Sequence, residues 1–125
     1  MKLTKSFYQR SDVTVVAREL LGKLLFTNVD GVICGGRIVE TEAYSWSERG
    51  CHAFDGRKTD RNAVMFEAGG TAYVYLCYGM HHMFNVVTNR QQVAEAVLIR
   101  AVEPIVGAHF MKTRRGVLRS AYQLT

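Results

Sequence analysis

The chain has a single proline, one tryptophan and three cysteines among its 125 residues, and no apolar run in it approaches the roughly 20 residues that cross a bilayer. Each scarcity excludes a class. With so little proline and a hydrophobic content of 48%, the composition is that of a folded globular chain and not of a low-complexity or extended one. The cysteines, Cys34, Cys51 and Cys77, are odd in number and widely spaced, with no C-x-x-C pair. Neither a disulfide framework nor a zinc ribbon is indicated, and the three are read as buried free thiols. Cys51-His52 together with His81-His82 would be the material for a metal site, but adjacent strand residues point to opposite faces, so no metal is expected. The opening Met-Lys-Leu-Thr-Lys-Ser-Phe-Tyr lacks the apolar stretch and small-residue cleavage site of a signal peptide. A cytoplasmic or nucleoid address is expected, and secretion is not.

Acidic residues are absent after Glu103, whereas Lys112, Arg114, Arg115 and Arg119 follow it. The net charge is +5, which suits a polyanionic partner. A solvated basic tail accounts for the same charge run equally well. The length bounds the chain to one domain, 1–125, with a real core and no room for a second.

Along the chain, Ser11-Asp12 can cap a helix in which Val13, Val16, Ala17, Leu20 and Leu21 recur at helical spacing until Gly22 closes it. Leu24 to Asn28 and Ile33 to Tyr44 read as strands about an Asp30-Gly31 turn, a strong hairpin signal. Residues 45–62 form a polar segment long enough to be functional or disordered. One helical turn is expected at Ala63 to Glu67, then strands at Thr71 to Tyr78, Met83 to Thr88 and Ala96 to Ala101, and a helix at Val106 to Lys112. The order predicts an α+β fold, a mainly antiparallel sheet with peripheral helices.

The chemistry gathers in Arg37-Ile38-Val39-Glu40-Thr41-Glu42-Ala43-Tyr44. Residues two apart on a strand share a face, so Glu40, Glu42 and Tyr44 point one way and Thr41 the other. A glutamate there can accept a proton from water in a cleft; the plainer reading is a pair of surface carboxylates on an edge strand. His52 is open between a structural and a catalytic role. Tyr73 and Tyr75 project together, and flat aromatic faces suit a nucleobase, although tyrosine also fills half-buried strand positions as core. Tyr78, just before Gly79 at a strand-to-turn corner, reads more readily as a protruding wedge.

These residues resemble the alkyladenine (3-methyladenine, methylpurine-type) DNA glycosylases. The resemblance rests on the Arg37–Tyr44 block, on His52, on Arg61-Asn62 with Met65-Phe66, on Gly70-Thr71-Ala72-Tyr73-Val74-Tyr75 with Tyr78-Gly79-Met80, on Asn85, and on Val97-Leu98-Ile99-Arg100-Ala101-Val102-Glu103-Pro104. It runs from about Val15 to Gly107, in several separated blocks in one order.

The resemblance implies a monofunctional enzyme without metal or cofactor. It would flip a damaged purine out of double-stranded DNA and hydrolyse its N-glycosidic bond, since the bond is inaccessible within the stack. Carried over by position, Glu42 would activate the attacking water, and Arg100 would help hold Glu42, the water and the phosphate of the flipped nucleotide. Tyr44, His52 and Tyr75 would wall the base, Asn85 would line the pocket floor, and Tyr78 would intercalate through the minor groove. A monomer is implied, with a cytoplasmic, nucleoid or nuclear address and no membrane partner.

The resemblance also implies a C-terminal portion beyond Tyr122-Gln123-Leu124-Thr125, because family members continue there with a Leu-Thr-Asn-Gly-Pro-Gly-Lys-Leu block. A chain without that portion would expose apolar faces and an open sheet edge, and self-association through the edge is then the alternative to a monomer. The corresponding functional alternative is a non-catalytic DNA-binding remnant. An unrelated sugar hydrolase using Glu40 and Glu42 as an acid/base pair is the weakest reading, since residues two apart on one face do not straddle a bond.

Overall fold

The computed structural model describes residues 2–47, 51, 53–77, 79 and 81–115. After a short helix, α1 (Lys5–Tyr8), comes α2 (Val13–Leu20). Five strands follow: β1 (Leu24–Val29), β2 (Val32–Ser45), β3 (Ala72–Cys77), β4 (His81–Val87) and β5 (Glu95–Val106). A last helix, α3, spans Ala108–Arg115, and two 3₁₀ turns, Phe54–Gly56 and Ala63–Phe66, lie between β2 and β3. The strands form one antiparallel sheet in the order β1-β2-β5-β4-β3. The α+β expectation holds.

Local chemistry explains the elements. The Asp12 carboxylate accepts the Thr14 and Val15 amides at 3.0 and 3.3 Å, meeting donors that the first turn of α2 leaves unpaired. The apolar stripe Val13, Val16, Ala17 and Leu20 is buried, as the spacing predicts. Between β1 and β2 the turn residues Asp30 and Gly31 have φ of 53° and 79°. Two positive φ values in a two-residue loop match the twist of the flanking strands, which is why Asp-Gly marks this hairpin.

Two apolar layers sandwich the sheet. On one face α2 packs its stripe against Ile38, Val86 and Val97. On the other, Cys51, Ala53, Met65 and Phe66 pack against Tyr73, Val87 and Ala96. Adjacent residues Val86 and Val87, and likewise Ala96 and Val97, divide between the two layers as strand alternation requires. The segment read as a long polar loop therefore covers a sheet face. Asn62 is 3% exposed, and its side chain accepts from the Thr59 amide at 2.7 Å and donates to the Arg57 carbonyl at 2.8 Å, fixing the segment's return.

Strand β2 lies between β1 and β5, but β1 pairs only with its residues 32–37. Glu40 and Glu42 therefore stand on a half that is hydrogen-bonded to β5 alone and forms a local edge of the sheet, as expected. Three local expectations change. The last strand runs to Val106 instead of ending at Ala101. Its far half pairs with β2 alone, so Pro104, which has no N–H to give, still fits opposite Gly36. The final helix begins two residues later and reaches Arg115. Finally, Cys34 and Cys51 are buried, but Cys77 is half-buried.

Candidate active site

The site is organised by irregular pairing between β2 and β5. Ile38 pairs with Val102, Glu40 with Ala101 and Thr41 with Ile99. Val39 on one strand and Arg100 on the other are thereby passed over. Such bulges re-aim side chains and shift the facing of a strand. The effect here is specific: Ile38 packs in the α2 layer, and the Thr41 hydroxyl, three residues on, donates to the Ala17 carbonyl on that same side at 3.0 Å. Strict alternation would have put Ile38 on the face of Glu40 and Glu42. The bulge separates an apolar residue that needs burial from carboxylates that need solvent.

Glu40, Glu42 and Arg100 come together on the other face. Arg100 Nη1 donates to Glu42 Oε1 at 3.0 Å, and Nε lies 3.3 Å from Glu40 Oε2. The Tyr44 hydroxyl donates to Glu42 Oε2 at 2.6 Å, so each oxygen of Glu42 has a donor. The Glu42 side chain is 34% exposed and that of Arg100 61%. Pairs this wet contribute about 0–1 kcal/mol to stability, so their value lies in orientation. The Leu21, Val39, Glu40, Thr41, Glu42 and Arg100 side chains line an open depression of about 350 Å³.

The aromatic wall stands beside this cluster. Tyr44 and Tyr75 are half-buried and pack against the layer containing Tyr73, and the Tyr73 and Tyr75 rings lie 5.4 Å apart at 43°. Asn85, on β4 opposite Tyr73, is 3% exposed. Its amide donates to the Tyr73 and Met83 carbonyls, both at 3.3 Å, and its side chain also hydrogen-bonds Tyr75. Burial raises the Tyr75 phenol above the usual tyrosine value, with the Cys77 thiol adding to the effect, the Asn85 hydrogen bond opposing it, the charge of Glu42 raising it and Arg61 lowering it. Tyr73 is raised mainly by burial as well.

Of the residues singled out from the sequence, Glu42, Arg100, Tyr44, Tyr75 and Asn85 thus occur on one face of the sheet. His52 and Tyr78 lie outside the described residues. Positions 78–80 join β3 to β4, whose last pair is Cys77 with His81. Among the described residues no group of three or more His, Cys, Asp and Glu side chains is placed to hold a metal ion, and no helix is long and apolar enough to cross a membrane. Sequence reasoning overlooked the Glu40–Arg100 contact. The available signal was the shared face of Glu40 and Glu42 with an arginine on a neighbouring strand, but that neighbour is 60 positions away and its register is interrupted.

Comparison with known proteins adds the following. A family model described as Methylpurine-DNA glycosylase (MPG) matches residues 6–125. The chain is 53% identical over 116 residues to a protein of Carboxydothermus hydrogenoformans, covering 93% of this chain and 60% of that protein. It is 50% identical over 114 residues to one from Chlamydia abortus, covering 90% and 60%, and 50% identical over 120 residues to one from Natranaerobius thermophilus, covering 94% and 59%. All three relatives bear the name "Putative 3-methyladenine DNA glycosylase". The chain spans about three fifths of the length of these relatives.

Proposed function

Because the chain belongs to the methylpurine-DNA glycosylase family, we propose that residues 1–125 work as a glycosylase domain on alkylated or deaminated purines in double-stranded DNA. The observation that carries the reading is the carboxylate of Glu42, held at both oxygens by Arg100 and Tyr44 yet open on one side to the depression. A carboxylate fixed in this way still has lone pairs for a water. Glu42 takes a proton from that water as its oxygen bonds to the sugar C1′, and the bond from C1′ to the purine nitrogen breaks with its electron pair leaving on the base. Positive charge builds on the sugar ring as this happens, and the carboxylate favours it. Arg100 holds Glu42 and meets a phosphate of the extruded nucleotide.

The purine must leave the stack to reach Glu42. Tyr44, His52 and Tyr75 enclose it, Asn85 forms the pocket floor, and Tyr78, at the connection between β3 and β4, fills the gap in the duplex. Alkylated purines already carry positive charge and depart readily, whereas neutral hypoxanthine demands more of the site. No step calls for a metal or cofactor, and the acting form is a monomer.

The test is single-turnover release of 3-methyladenine and hypoxanthine from duplex DNA by the 125-residue chain, with Glu42→Gln as control. Release that vanishes in Glu42→Gln supports the mechanism; equal rates in the two proteins overturn it. A second reading, a DNA-binding remnant without catalysis, is favoured by the wide opening of the depression and the exposure of Arg100. It predicts salt-sensitive DNA binding with no release from either protein.

A further inference from the structure

We infer that Glu40 is a positioning residue: it anchors the Arg100 guanidinium through Nε and so sets the plane from which Nη1 meets Glu42. The inference rests on the reading of Glu42 as the base for its catalytic meaning, but its geometry stands apart from that reading. Arg100 is at a position passed over in the β5 register, and its side chain is 61% exposed. A long, wet side chain with one contact swivels about its last bonds, because fixing it costs rotamer entropy that a single exposed pair scarcely repays. Nε is the guanidinium nitrogen nearest the backbone, and Glu40 meets it as an ion pair at 3.3 Å, so a partner there restrains the whole planar fork.

The strand supplies that partner at the right distance. Residues two apart on β2 are separated by roughly 6–7 Å along the strand, and the two carboxylates reach two different nitrogens of one guanidinium, Glu40 at Nε and Glu42 at Nη1. The bulge at Val39 makes this arrangement available, since it turns Ile38 to the helix layer and leaves Glu40 beside Glu42. Two carboxylates also exceed the single charge of Arg100 by one. The cluster therefore retains a net negative charge facing the depression, the sign that suits a sugar becoming positive.

Two measurements on the 125-residue chain decide it. In nitrogen-15 NMR, exchange of the Arg100 Nε proton with water should accelerate about threefold to fivefold in Glu40→Gln, the loss expected for one exposed charged contact. It should change far less in Glu42→Gln, which leaves the Nε contact in place. An unchanged rate in Glu40→Gln overturns the inference, and this readout needs no base release.

The second measurement is a double-mutant cycle in single-turnover release. Glu40→Gln should slow release by a similar factor with the DNA concentration for half-saturation unchanged, and it should have no further effect on top of Arg100→Gln. Full additivity of the two changes overturns the inference. Persistence of the wild-type rate in Glu42→Gln would instead refute the base assignment, while the exchange rates still decide the role of Glu40.

Discussion

The Tyr44 hydroxyl donates to Oε2 of Glu42 at 2.6 Å, across two positions of the same strand. An aromatic side chain proposed as part of the base-binding wall therefore also holds the carboxylate, and its ring and its hydroxyl can be separated. Tyr44→Phe keeps the ring and removes the donor. It should slow base release about threefold to tenfold, the factor that corresponds to an ordinary net hydrogen bond of about 0.5–1.5 kcal/mol, as suits a part-exposed carboxylate, with DNA binding little changed. Single-turnover rates against binding isotherms check this, and a loss confined to binding would refute it.

The strand that carries both carboxylates tolerates no side chain at Gly36. A Cβ there would lie 2.6 Å from the Glu103 carbonyl oxygen of β5, and a backbone atom in a ladder cannot swing aside. Gly36→Ala should cost about 1–3 kcal/mol, read as a lowered urea midpoint with an unchanged slope. An unchanged midpoint would mean that β2 and β5 part without cost at this point.

The cap of α2 gives a smaller effect. Asp12→Ala removes the acceptor of the Thr14 and Val15 amides and should destabilise the chain by about 1 kcal/mol. Asp12→Asn, which keeps an acceptor oxygen, should recover most of it. Both follow from thermal or urea unfolding.

The buried phenols make an alkaline prediction. Tyr73 and Tyr75 are raised above the usual value of 10.0, mainly by burial, so the folded state keeps these protons to higher pH than the unfolded one. Their stabilising effect is complete below pH of about 10 and is lost as pH rises through the folded values. Absorbance titration should show tyrosines that ionise late, and Tyr73→Phe and Tyr75→Phe should each remove part of that late phase. Ionisation of all tyrosines in one step near pH 10 would contradict it.

Much of this was legible because it is local. Asp12 before an apolar stripe, Asp30-Gly31 between alternating runs, and Tyr73 two residues from Tyr75 each act through neighbours in the chain. The register between β2 and β5 was not. Nothing near Val39 or Arg100 announces that both are passed over, because a bulge is decided by two strands together. Glu40 and Glu42 do lie on an edge segment, because β1 stops pairing at Arg37; that their one neighbouring strand is β5, inserted between two hairpins, is a long-range event that no local pattern announces. The burial of Ala53 and Asn62 was hidden by the charged residues between them, Asp55, Arg57, Lys58, Asp60 and Arg61, which stay exposed. Where family resemblance went further, it brought Glu42 and Arg100 to notice as a pair that composition and periodicity could not have joined.

The strand order has a consequence for how the chain comes into being. The β1–β2 and β3–β4 pairings close over short connections, but Glu42 and Arg100 are 58 positions apart. At synthesis rates of roughly 5–20 residues per second, Glu42 leaves the ribosome roughly 3–12 s before Arg100. During that interval β2 can hairpin with β1 while its other side waits unpaired. The charged cluster can form only after β5 slots between the two hairpins and pays the entropy of closing the longest loop. A nascent chain can thus hold most of its local structure while its acidic pair still lacks the arginine that orients it.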